Sequence, residues 1–98
     1  MPQAYWIAHV TVTDEEAYAR YAKLAGPAVA KHGGKFLARG GRHVWLEGPK
    51  EHTRNVVAVF PSLEDAEACY RGPDYQEALS HARGASERDL MIVEAFED

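Results

Sequence analysis

The run Asn55–Phe60, NVVAVF, most constrains what this chain can fold into. Valine and phenylalanine suit a pleated, packed strand, and a strand apolar on both faces belongs inside a sheet. Pro61 stops it, because proline has no N–H to continue a ladder. A central strand needs neighbours, and the chain offers them. Residues 5–12 (YWIAHVTV) and 89–96 (DLMIVEAF) read as strands, as does KFLARG over 35–40. After the Gly40–Gly41 break, RHVWLEG is expected to continue in extended form.

Helical periods fill the gaps. Ala17, Tyr18, Tyr21, Ala25, Ala28 and Val29 recur at helical spacing. Thr13 is expected to cap this helix, with Glu16 completing a capping box. Gly26–Pro27 is expected to kink or restart it, since Pro27 removes a donor and crowds the carbonyl of Lys23. Gly33–Gly34 ends it. Ser62, with Asp65 three residues on, starts a second helix with Leu63, Ala66 and Tyr70 inward. Pro73 suits the first turn of a further helical segment, in which Tyr75, Leu79 and Arg83 follow at four-residue spacing. The order is β-α-β-β-α-β, an α+β chain with the antiparallel sheet of ferredoxin-like folds.

At 98 residues the chain is read as one domain, 1–98. A chain this small buries only about 60–65% of its unfolded surface. Helices cover one sheet face, so a second copy is the simplest cover for the other, and a homodimer is expected. The net charge of −4, with scattered basic residues, argues against a general nucleic-acid binder. No stretch has membrane-spanning length and no signal peptide is visible, so no membrane partner and a cytoplasmic location are expected. Cys69 is the only cysteine and reads as an unreactive thiol on a helix.

The segments GGKFLARGG, LEG, FPSLEDAEACY and PDYQEAL, with the whole stretch from Tyr5 to Gly41, resemble an uncharacterised bacterial family, domain of unknown function thirteen-thirty. That family falls within the dimeric α/β-barrel superfamily, and the resemblance spans about Tyr5 to Glu94. It implies a ferredoxin-like monomer whose sheet packs on a partner's to form a barrel. Superfamily relatives include cofactor-independent monooxygenases, muconolactone isomerases, haem-degrading enzymes and proteins with no known activity, so the fold alone fixes no reaction. Two positions depart from the family pattern. Val59 stands where many members carry an acidic residue, and Cys69 where many carry tryptophan. A general base at the first of these would be missing here.

Among single residues, Arg39 is the most informative. Strand alternation places it with Leu37, opposite Phe36 and Ala38. An unpaired guanidinium among apolar side chains costs several kcal/mol. Arg39 therefore pairs with a carboxylate such as Glu47 or Glu94, snorkels at a sheet edge, or awaits an anionic ligand. Gly40–Gly41 fits a bulge or a bend beside it. His9, mid-strand, ranks first among acid–base candidates because imidazole titrates near neutrality. Its partners on either face depend on the register of the strand.

Tyr18, Tyr21 and Tyr75, with Trp45 and Phe60, are expected to line a pocket between helices and sheet, and Arg83 to join Arg39 in holding a carboxylate. No HxH, HExxH or Cys/His spacing points to a metal, and no GxGxxG, GxxxxGK[ST] or GxSxG motif to a nucleotide or nucleophile, so neither metal nor cofactor is expected. Three readings follow. The leading one is a homodimeric binder of an aromatic or acidic small molecule. The others are a cofactor-independent monooxygenase or isomerase, and a non-catalytic assembly module.

Overall fold

Alternation along the first strand sets the layers. In the computed structural model, which describes residues 2–97, strand β1 (Ala4–Val12) buries Ala4, Trp6, Ala8 and Val10. The residues between them, Tyr5, Ile7, His9 and Thr11, stay partly open on the opposite face. Helix α1 (Glu15–Lys31), β2 (Lys35–Arg39), β3 (Arg54–Phe60), α2 (Leu63–Arg71), α3 (Pro73–Ala82) and β4 (Ser86–Glu94) follow. The four strands form one antiparallel sheet in the order β2-β3-β1-β4, the ferredoxin-like arrangement expected from the pattern. NVVAVF is indeed interior, between β1 and β2.

All three helices lie on the face of Trp6. That indole is 2% exposed and touches the rings of Phe60, Tyr70 and Tyr75 at centroid distances of 5.5, 6.1 and 5.0 Å. Gly34 turns the chain from α1 into β2 so close to Val29 and Phe60 that a Cβ there would collide with both side chains.

Four local expectations change. The cap of α1 is Asp14, whose carboxylate accepts from the Ala17 N–H at 3.1 Å, while the Thr13 backbone N–H is spent on Ala85 O at 2.8 Å. Ala85 O, in the chain entering β4, accepts from the Asp14 N–H as well, at 3.0 Å. Asp14→Ala should therefore cost about 1 kcal/mol in urea unfolding, and Thr13→Ala markedly less. Second, α1 runs unbroken through Pro27, held by the burial of Ala25, Ala28 and Val29 on either side. Third, residues 41–53 form no strand. Val44 and Leu46 are exposed, and the segment is fastened instead by Trp45 Nε1–H to His52 O at 3.0 Å and by the Lys50–Glu87 ion pair.

The fourth change concerns β2. Phe36 pairs with Ala58, but Ala38 pairs with Val57 and Arg39 with Val56, so Leu37 is an extra residue in a bulge. Directly opposed residues share a face, and Ala58 and Val56 are both buried under the helices. The bulge therefore sends Arg39 to the helix face with Phe36 and leaves Leu37 56% exposed. Gly40 completes the device. Its φ of +76° suits glycine, its N–H bonds Asn55 O at 3.0 Å, and a Cβ would overlap the Arg54 guanidinium.

Candidate functional site

Beneath α1 and α3, side chains from both helices and all four strands enclose a cavity of about 20 Å³, room for about one water. Helix α1 contributes Tyr18 and Tyr21 on one face, separated by three residues; α3 contributes Tyr75; the sheet contributes Arg54 and Arg88, with Arg39 at the bulge. Arg88 Nη2 donates to Tyr21 Oη at 2.8 Å and to Tyr75 Oη at 2.9 Å, and the two hydroxyls lie 2.7 Å apart. The Arg88 guanidinium lies 4.7 Å from the Tyr21 ring centre, and that of Arg54 5.8 Å from Tyr18.

The hydrogen-bond count is unbalanced toward donors. One of Tyr21 and Tyr75 donates to the other, so the acceptor's own O–H has no partner within the triad. Among the described residues, the buried Nε atoms of Arg54 and Arg88 are also without a partner. No Asp or Glu of the described residues lines the cavity. Charged guanidinium groups are thus held in a half-buried site with no anion to match them, where desolvation is costly.

Burial raises the hydroxyl pKa of Tyr18, Tyr21 and Tyr75. For Tyr21, the neighbouring Tyr75 raises it further, against the pull of Arg88. The phenols are therefore neutral donors at neutral pH, and the cavity contains no proton acceptor of its own.

Arg39 takes none of its expected carboxylate partners. Its Nη2 donates to Ala22 O at 3.0 Å, and its guanidinium lies 4.2 Å from the Phe36 ring centre. It is exposed and lies across the cavity's edge, where Gly26 leaves it space. Tyr18, Tyr21, Tyr75 and Arg39 thus line one cavity. Phe60 packs behind Trp6 and does not line the cavity. Arg83 is exposed at the end of α3 and does not line the cavity, whereas Arg88 does. Four-residue spacing pointed to Arg83 only as long as the helix lasted, and α3 ends at Ala82.

Arg54 and Arg88 escaped the sequence reading. A signal existed for both. Each shares strand parity with apolar residues of the helix face, Arg54 with buried Val56 and Ala58, Arg88 with partly buried Leu90 and Ile92.

His9 and Trp45 lie on the other face of the sheet. Their rings are 5.3 Å apart, and His52 is 7% exposed and bonded to Thr11 Oγ1 at 3.0 Å. Trp45 is kept there by the course of the 41–53 segment. Val59 pairs with Tyr5 and Lys35 on this open face, so an acidic residue at that position would not face the arginine-tyrosine cavity.

Cys69 is buried, its Sγ 3.6 Å from Ala28 O. Burial, helped by the charge of Asp74, pushes the thiol up from 9.0 to about 11. A folded-state value above the unfolded one gives stability that is complete below pH 9.0 and lost as pH climbs through about 11. The buried tyrosines shift the same way. The urea midpoint should thus fall between about pH 9 and 11, and Cys69→Ala should flatten that fall.

Among the described residues no helix is long and apolar enough to cross a membrane. A search of curated proteins found no significant match. Solved structures share the fold. The Rhodopseudomonas palustris protein RPA0582, of unknown function, is 24% identical over 99% of this chain and 85% of its own, with a TM-score of 0.79. SnoaB, a cofactor-independent oxygenase from Streptomyces nogalater, is 13% identical over 100% of this chain and 97% of its own, with a TM-score of 0.70. A dimeric ferredoxin-like protein of unknown function from Thermobifida fusca is 19% identical over 96% of this chain and 92% of its own, with a TM-score of 0.61. The family model for a domain of unknown function, DUF1330, matches residues 3–96, and the chain belongs to that family.

Proposed function

We propose that this protein is a homodimer that binds a small organic acid, the acidic head entering the cavity among Tyr18, Tyr21, Tyr75, Arg54 and Arg88. The observation that supports this reading is the surplus of donors: two orphaned guanidinium Nε–H groups and one unspent phenol O–H belong to side chains that line a cavity with no carboxylate among the described residues. A carboxylate accepts from all three and offsets the buried positive charge. The present volume holds about one water, so the head enters only as the cavity widens. The body of the acid lies at the mouth, where Arg39 swings from Ala22 O and the Phe36 ring becomes an apolar wall. An aromatic body suits that wall best.

The dimer reading rests on the open face of the sheet. Ile7, Val57, Val59, Met91 and Val93 lie there together, with Met91 52% and Val93 41% exposed. A second copy of the same face would cover them. The cavity opens on the opposite side, so a dimer leaves it free. Catalysis by proton removal inside the cavity is less well supported, since its tyrosines are raised and its other polar groups are arginines.

Benzoate and benzyl alcohol separate the readings. Benzoate should raise the melting temperature in a saturable way, and benzyl alcohol, equal in ring but uncharged, should not. Arg54→Met should weaken the benzoate response at least tenfold. Equal responses to both compounds, or an undiminished response in Arg54→Met, would remove the acid from the proposal. Sedimentation at micromolar concentration checks the subunit count independently; a monomer there sinks the dimer and leaves the acid site standing.

A further inference from the structure

The open face of the sheet holds a second cluster, across the sheet from the arginine-tyrosine cavity and one same-face pair beyond Ile7, at the edge of the apolar patch that a second copy would cover. His9, Trp45, Lys50, His52 and Asp89 line a groove of about 360 Å³ beside β1 and β4. The hydrogen bonds there fix which imidazole nitrogens carry protons. His9 Nδ1 lies 2.7 Å from Asn55 Oδ1, an amide oxygen that only accepts, so Nδ1 carries a proton and the neutral ring has its lone pair at Nε2. Among the described residues Nε2 has no hydrogen-bond partner. His52 is committed at both ends: Nε2 faces Asp89 Oδ2 at 3.3 Å, and Nδ1 meets Thr11 Oγ1 at 3.0 Å. The two rings lie near-parallel at 6.1 Å, with the Trp45 ring 5.3 Å from His9.

We infer that His9 Nε2 is a general base, acting on flat aromatic or enolic compounds that carry a weakly acidic proton and lie against Trp45 in this groove. The pattern is that of a base oriented by a second group, with Asn55 in the positioning role. His52, with both nitrogens bonded, forms part of the wall and does not accept the substrate proton. The charged groups sharing the groove are Lys50, Glu87, Arg88 and Asp89, and Lys50 pairs with Glu87. In the step itself, the Nε2 lone pair takes the substrate proton, giving an imidazolium and a substrate anion. The imidazolium then returns its proton to the product or to water, so the site needs no oxidant or reductant.

The compound 5-nitrobenzisoxazole tests this with balanced chemistry. Removal of its ring C–H proton drives the C–H electrons into the C–N bond, the N–O bond breaks, and a coloured phenolate nitrile forms. The full chain should turn it over with saturation, faster than free imidazole at equal concentration. His9→Gln should lower kcat about 100-fold, the usual worth of a positioned base. Asn55→Leu should lower kcat with KM unchanged, and Asn55→Asp, which still accepts from Nδ1–H, should restore it. Glu67→Gln, on the outer surface of α2, should leave the rate as it is. Absence of turnover above free imidazole in the native dimer would overturn the inference, as would an unchanged rate in His9→Gln. Trp45→Leu provides a second check should strand variants fold poorly, because residue 45 lies outside the sheet. It should raise KM, and an unaltered KM would remove the aromatic wall from the site.

Discussion

Replacing Arg88 by methionine should weaken benzoate binding at least tenfold while leaving the protein as stable as before, or more stable. Arg88 reaches both central tyrosines and leaves its Nε without a partner in a half-buried site. A charge so placed is a cost to the folded state unless something anionic meets it. Methionine matches the aliphatic stem, removes the desolvated charge, and leaves Tyr21 and Tyr75 bonded to each other at 2.7 Å. Buried ion pairs replaced by apolar residues of similar size are often neutral or stabilising, by roughly 1–4 kcal/mol. A loss of one charge-assisted contact to a carboxylate is worth about 1.5–3 kcal/mol, so affinity should drop at least tenfold. Paired thermal melts, with and without benzoate, read both quantities from one sample. A strong fall in the unliganded melting temperature would mean that Arg88 is a structural strut, and the argument from unmatched charge would fail with it.

Trp6→Ala should be the most damaging single change. Its indole is 2% exposed and forms the common wall for Phe60, Tyr70 and Tyr75, so it joins β1 to β3, α2 and α3 at once. Truncation removes most of a large apolar surface and leaves a hole that neighbouring rings fill only by leaving their rotamers. Such substitutions cost about 3–5 kcal/mol, against a total stability of about 5–15 kcal/mol for a domain of this size. The urea midpoint followed by circular dichroism should move down by roughly 2 M, taking an m-value of about 2 kcal/mol/M. Trp6→Phe should recover most of the loss. A shift well under 1 M for Trp6→Ala would show that the layer between helices and sheet is looser than the ring contacts suggest.

Much of the frame was legible in the residues themselves, because it depends on local periodicity. Alternation in YWIAHVTV, the unbroken apolar character of NVVAVF and the three- and four-residue spacing of Tyr18, Tyr21 and Ala25 are properties of neighbouring positions. They yield the element order, and with it the ferredoxin-like sheet. The clustering of Tyr18, Tyr21 and Tyr75 followed from the same periodicity, since both helices turn their apolar stripes to one sheet. Ser62 capped α2 as read, its Oγ accepting from Asp65 N–H at 3.1 Å.

What escaped was decided by pairing between distant segments. Asp14 rather than Thr13 caps α1, in a turn where the N–H groups of both residues donate to Ala85 O, more than seventy positions away in the chain. A bulge cannot be seen in one strand alone, because an extra residue is extra only relative to its partner. The single slip at Leu37 reverses every side chain after it, which turned Arg39 from the open face to the cavity. The same holds for His9, Trp45 and His52, gathered on the open face by a segment with no period of its own. Composition and spacing determined which layers this chain builds; only the register between strands, fixed by hydrogen bonds and burial across the whole sheet, decided which charges those layers enclose.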